Sequence, residues 1–87
     1  MREKHAVAAF LEKIGEVLEI RGENPFKISA YHNAARTING LTQEIGELIL
    51  KKQLVELPGV GKNIAAHIEE LYKTGKVREY VKILKSV

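Results

Sequence analysis

In the run Leu57-Pro58-Gly59-Val60-Gly61-Lys62 two glycines flank a valine, and a run of this kind can hold an anion with its main chain. Glycine has no Cβ, so Gly59 and Gly61 relieve the steric penalty of a turn with unusual dihedrals and leave the backbone bare to a phosphate. Pro58 stiffens the turn, while Leu57 and Val60 offer apolar anchors toward a core. The N–H groups of Gly59, Gly61 and Lys62 are expected to point outward where the next helix starts, and there the helix dipole favours an anion. Lys62 adds a mobile positive charge beside them. Such a site touches phosphates and no base edge, so the binding it implies is independent of base sequence and weakens with salt. The plainer reading is a connector between two helices, since Pro and Gly punctuate many turns.

Other polar residues fall into groups. Lys27 and Tyr31 lie four apart and share a helical face, where an ammonium and a phenol hydroxyl could cradle a phosphate. The alternative is an exposed lysine near a half-buried tyrosine. Asn63, His67 and Glu70 form a column beside the apolar stripe Ile64, Ile68 and Leu71. His67 is then either a pH-sensitive donor to a phosphate or a boundary histidine bonded to Glu70 or solvent. Lys73, Lys76 and Arg78 either extend a basic surface or form a solvated face. His5, His32 and His67 are too dispersed to suggest a zinc site. There is no cysteine, which excludes a disulfide framework and a thiolate metal site. Nor is there any aspartate; all 11 acidic residues are glutamates scattered along helical faces. Magnesium-dependent phosphoryl transfer needs clustered carboxylates, so no polymerase or nuclease centre is expected within this chain.

The elements that must position these groups read as helices. Val7, Phe10, Leu11, Ile14, Val17 and Leu18 recur at helical spacing up to about Ile20, and Gly22 closes the helix. Asn24-Pro25 starts a second helix, with Phe26, Ala30, Ala34 and Ile38 expected as its stripe and the small Ala30, Ala34 and Ala35 implying a close neighbour. After Asn39-Gly40, Thr42 is expected to cap a third helix carrying Ile45, Leu48 and Ile49. A short helix is expected from about Lys51 to Glu56, and another from Lys62 to Lys73. Past the turn Thr74-Gly75-Lys76, Val77, Tyr80, Val81 and Leu84 mark a final amphipathic helix. No period-2 segment suggests a sheet. With 87 residues, 45% of them hydrophobic, the expectation is one all-α domain over residues 1–87, a compact bundle of about four to six short helices. Its net charge of +3 is mildly basic. Arg2-Glu3-Lys4 follows Met1 where a signal peptide would be apolar, and no stretch is long enough to span a membrane, so an intracellular, cytoplasmic protein is expected. Ending on Lys85-Ser86-Val87 suits a piece of a longer chain as well as a natural stop.

The segment around Leu54 to Leu71 resembles the helix-hairpin-helix motif of DNA repair proteins, with the motif at about 51–73. The likeness goes further. Gly22-Glu23-Asn24-Pro25-Phe26-Lys27, Ala30-Tyr31 and Asn33-Ala34-Ala35-Arg36 are similar to the second helix of the N-terminal domain of family X DNA polymerases, the bacterial and archaeal PolX type and more distantly the polymerase beta type. The resemblance covers nearly the whole chain. It implies a prokaryotic, nucleoid-associated protein that binds nicked or gapped DNA, with Gly59, Val60, Gly61, Lys62, Asn63 and His67 on the phosphate backbone. A polymerase domain in the same full-length protein is the partner it implies. Lys27 and Tyr31 match the family's 5′-phosphate pocket, and the backbone carbonyls of Val55, Leu57 and Val60 match its site for a monovalent cation, K⁺ or Na⁺. No other cofactor is implied. Polymerase-beta-like members also act as 5′-deoxyribose phosphate lyases through a Schiff-base lysine, whose position here is His67. A neighbouring pocket lysine is Asn63, and two more are Val55 and Glu79. Imidazole cannot form the imine, so the resemblance implies binding; a lyase working through Lys62 or Lys27 is the enzymatic alternative, and a helical protein-interaction domain is the third.

Overall fold

The first helix, α1, runs over Lys4–Ile20 and follows directly from its apolar spacing. Val7, Leu11, Ile14 and Leu18 recur every three or four residues and all four are buried. Glu3 caps it, its carboxylate accepting the backbone N–H groups of His5 and Ala6, each at 2.9 Å. The bond from His5 is the main reason the Glu3 carboxyl is held below the ordinary carboxylate value. A folded value below the unfolded one means that the charged cap stabilises α1 above the unfolded carboxylate range. That contribution is lost as pH falls through the folded value. A Glu3→Gln variant should therefore show a shallower drop in melting temperature on acidification than the wild type. Identical acid limbs in the two melting profiles would remove the charge from the cap's role.

The computed structural model describes residues 3–76, and α1 ends in a sharp, fully hydrogen-bonded exit. Gly22 takes φ +71, its N–H donates to the Glu19 carbonyl at 3.0 Å, and the Glu23 N–H donates to Leu18 at 2.9 Å. This pair of bonds satisfies carbonyls that the helix end would leave bare. Asn24 then accepts the Phe26 N–H at 2.8 Å, and Pro25 opens the second helix, α2, Pro25–Asn39. With so short a connection the two helices pack antiparallel. Their bonds run accordingly, from His5 Nδ1 to Asn39 at 2.7 Å and from His32 Nδ1 to Glu12 at 2.8 Å. Ala34 and Ala35 are wholly buried at the contact. On α1 the facing residue is Gly15, where a Cβ would lie 2.8 Å from the His32 ring.

The expected stripe of α2 needs correction. Phe26 is 85% exposed, and the buried residues are Tyr31, Ala34, Ala35 and Ile38. Positions four apart drift around a helix of 3.6 residues per turn, so Phe26 and Ile38 cannot share one face.

Two boundaries also differ from expectation. The third helix, α3, spans Ile45–Leu50 and is preceded by Glu44, without a side-chain cap; Thr42 does not fill that role. Leu41 is buried, and its carbonyl accepts a bond from Lys4 Nζ, which pins the approach to α3 before the helix can start. The expected helix from Lys51 to Glu56 is instead a reversal and a single 3₁₀ turn. Lys52 takes φ 57 and the Gln53 N–H returns to the Leu48 carbonyl at 2.8 Å. The reversal carries Leu54 into the core, and the 3₁₀ turn covers Leu54–Glu56. Pro58 ends it, having no N–H for the Val55 carbonyl.

The last described helix, α4, spans Lys62–Thr74 and buries Ile64, Ala65, Ile68 and Leu71. Gly75, at φ +80, closes it by donating to the Leu71 carbonyl at 2.8 Å. Among the described residues there are four α-helices, the 3₁₀ turn and no strand, so the chain is a small all-α bundle. The final helix expected from Val77 onward lies outside the described residues. No described helix is long and apolar enough to cross a membrane.

Candidate nucleic-acid interface

The hairpin between the 3₁₀ turn and α4 is built by main-chain geometry. Leu57 is extended, and the Val60 N–H donates to the Leu57 carbonyl at 3.1 Å, closing the turn. Val60 itself is 4% exposed and anchors the loop in the core. The two glycines serve different ends. Gly59 has φ +77, and a Cβ there would lie 3.4 Å from Asn33 Cβ on α2. Gly61 is extended, at φ −88 and ψ −179, a conformation open to any residue. A Cβ on Gly61 would meet nothing within 4 Å, so what its bareness provides is access from outside. The expectation of unusual dihedrals at both glycines therefore holds at Gly59 alone.

No side chain caps the first turn of α4. The N–H groups at that turn have no intrahelical acceptor. Lys62 and Asn63 are exposed there.

α2 carries the opposite wall. Lys27, Ala30 and Tyr31 face Gly59, Gly61, Lys62, Asn63, Ile64 and His67 across an open cleft of about 550 Å³. Residues as far apart in sequence as Lys27 and His67 thus meet in one concavity. Val60 does not line the cleft; with its side chain buried and its N–H bonded to Leu57, it is an anchor.

Tyr31 is 2% exposed, more deeply buried than the half-buried tyrosine of the alternative reading. Its hydroxyl lies 2.7 Å from His67 Nδ1, and the two rings stack with an interplanar angle of 11°. The sequence offers Glu70 and solvent as companions of His67 and gives no sign of this one. The two residues are 36 positions apart and only the packing of α2 against α4 brings them together. Two further residues escape sequence reasoning for the same reason. Thr37 donates its hydroxyl to the Pro58 carbonyl at 2.8 Å, and Asn33 packs beneath Gly59. They lie four apart on α2, so a shared face is legible, but not what it faces.

The remaining candidates disperse. Lys73 pairs with Glu69 at 3.0 Å, one turn back on α4, as a solvated helical face does. Lys76 is exposed, while Arg78 and Glu79 lie outside the described residues. His5 and His32 have their own partners in Asn39 and Glu12, away from His67. Among the described residues no three histidines or glutamates gather as a metal site.

Comparison with known proteins agrees with this geometry. The model of the helix-hairpin-helix domain family matches residues 2–77. The DNA polymerase/3′-5′ exonuclease PolX of Bacillus subtilis (strain 168) is 32% identical over 73 residues, 84% of this chain and 12% of that protein. The chain thus spans a small part of the length of this relative. With the match extending over most of its length and the hairpin at its centre, the chain belongs to the helix-hairpin-helix domain family.

Proposed function

We propose that this chain binds DNA without reading its base sequence, as the N-terminal domain of a larger family X repair polymerase. In this reading the hairpin holds the phosphate backbone, and Lys27 and Tyr31 hold the 5′-phosphate at a nick or gap. The observation that carries it is the single cleft in which Lys27 and Tyr31 face Gly59, Gly61, Lys62, Asn63 and His67. Bare main-chain donors at a helix start, a dipole and two lysines together suit an anion. Nothing in that set is shaped to read a base edge, since readout of sequence requires side chains inserted in a groove.

The residues also fit the monovalent cation that the family resemblance implies. Neutral carbonyls replace the hydration shell of K⁺ or Na⁺, and Pro58 cannot donate to the Val55 carbonyl. Val55, Leu57 and Val60 would hold the ion, which supplies positive charge beside a bound phosphate. His67 occupies the position of the family's Schiff-base lysine. An imidazole forms no imine, so the proposed role is to hold DNA and not to cleave it.

The test is binding to a one-nucleotide-gapped duplex, with and without a downstream 5′-phosphate, across a salt series. Tighter binding to the phosphorylated gap is expected, weakening as salt rises. Each phosphate that the protein ceases to neutralise should lower the slope of log K against log salt by about 0.9. Lys62→Ala should therefore reduce the slope by about that amount and weaken binding to all sequences alike. Equal affinity for both gaps would leave a backbone binder without a 5′-phosphate pocket. Absence of binding to either would replace this reading with a protein-interaction domain.

A further inference from the structure

The turn that opens the hairpin leaves the orientation of one peptide plane to be settled from outside, and a side chain of α2 reaches it. Leu57, Pro58, Gly59 and Val60 form a β-turn, closed by the bond from the Val60 N–H to the Leu57 carbonyl at 3.1 Å. Turns of this kind come in two common forms, which share the closing bond and differ in the central peptide, here the Pro58–Gly59 unit. Passing from one form to the other turns that unit over and exchanges the sides to which its C=O and N–H point. Proline suits the second position of either form, and glycine is at ease in the third position of both. The residue types therefore permit two orientations. The φ of +77 at Gly59 belongs to the type II form.

Thr37 acts on this unit directly. Its hydroxyl donates to the Pro58 carbonyl at 2.8 Å, and among the described residues no other group does so. The peptide is trans, so the Gly59 N–H points away from the carbonyl that Thr37 holds. Gly59 lines the cleft, whereas Pro58 and Thr37 do not. Among the described residues nothing accepts the Gly59 N–H. We propose that Thr37 is a positioning residue for phosphate binding: by holding the Pro58 carbonyl it keeps the Gly59 N–H turned toward the cleft, as a donor to a DNA phosphate. Without the hydroxyl the turn can pass to its other form, which brings the Pro58 carbonyl round to the cleft side, where its lone pairs repel an anion. This rests on the DNA-binding reading above and adds the group on α2 that sets which end of the peptide dipole the phosphate meets.

The experiment titrates the full 87-residue chain and two variants with the one-nucleotide-gapped duplex, recording affinity and, by NMR, the Gly59 amide proton. Thr37→Val keeps the shape of the side chain and deletes its hydroxyl; Thr37→Ser keeps the hydroxyl and deletes the methyl group. Thr37 is only half-buried, so both variants are expected to melt close to the wild type. Thr37→Val should bind about three- to tenfold more weakly, the range that one hydrogen bond spans, and Thr37→Ser should bind like the wild type. On addition of duplex the Gly59 amide proton should move downfield in the wild type and in Thr37→Ser, as a proton donated to a phosphate does, and much less in Thr37→Val. A role in stability alone would lower the melting temperature of Thr37→Val and leave that response unchanged in the folded fraction. Wild-type affinity in Thr37→Val, an equal loss in both variants, or an undiminished Gly59 response overturns the role of the hydroxyl and leaves the DNA-binding reading standing. Should Thr37→Val not fold, Thr37→Ala deletes the same hydroxyl and the same outcomes apply. A wild type that binds no duplex removes the DNA-binding reading, and the positioning role with it.

Discussion

Replacing Gly59 by valine is expected to cost both the fold and the binding, whereas replacing Gly61 by alanine should cost binding alone. At φ +77 a β-branched side chain is a severe outlier, and its Cβ would already be in contact with Asn33 at 3.4 Å, leaving the two γ-methyl groups to be placed. Strain of this kind costs about 1–3 kcal/mol, and α2 cannot retreat without disturbing Ala34, which is fully buried beside it. Gly61 is extended with open space around its missing Cβ, so Gly61→Ala should change stability by no more than about 0.5 kcal/mol. The added methyl group stands on the approach to the α4 amides, so DNA affinity should fall about tenfold or more, the equivalent of one phosphate bond of ~1.4 kcal/mol. Denaturant melts and gapped-duplex titrations on both variants measure this. Wild-type affinity in Gly61→Ala would mean that the phosphate does not approach there.

The second large effect is in the core. Ile68 is wholly buried in α4, next to His67 in the same helix. Ile68→Ala is expected to destabilise the domain by about 2–5 kcal/mol, through the reduced burial and the cavity left behind. Domains of this kind are stable by only about 5–15 kcal/mol, so a substantial fraction of the variant should be unfolded at modest denaturant concentration. Leu50, 84% exposed on α3, is the control, and Leu50→Ala should shift the midpoint little. The slope of the urea transition should be unchanged in both, since neither alters the surface exposed on unfolding. A midpoint for Ile68→Ala close to that of the wild type would contradict the packing described for α4.

The helices are legible where local chemistry decides them. The spacing of Val7, Leu11, Ile14 and Leu18, the closing Gly22, and the Asn24-Pro25 start all stand where their residue types predict. Glu3 reads only as part of a charged run, because capping depends on which backbone groups a carboxylate reaches, and glutamate is not among the preferred cap residues. The segment from Lys51 to Glu56 misleads for another reason. Its residues favour a helix, but the need to bury Leu54 forces Lys52 into a conformation that lysine seldom adopts. The hairpin string is legible as a turn, and Lys27 with Tyr31 as a pair. What no local rule can supply is their meeting across one cleft, or the bond from Tyr31 to His67, because these depend on how α2 lies against α4.

Thr37 and Asn33 hold the hairpin from beneath, one by a bond to the Pro58 carbonyl and the other by packing under Gly59. Fixing a loop residue in one backbone conformation costs roughly 1–2 kcal/mol of entropy. Here that ordering is completed when α2 folds, not when a ligand arrives. The backbone of Gly59 and Gly61 is thus held in place beforehand, and for the phosphate binding proposed above little free energy would be diverted to organising the loop. On the proposed reading, a domain that touches a phosphate chain at so few points could then hold it with a surface no larger than two helix ends and a turn.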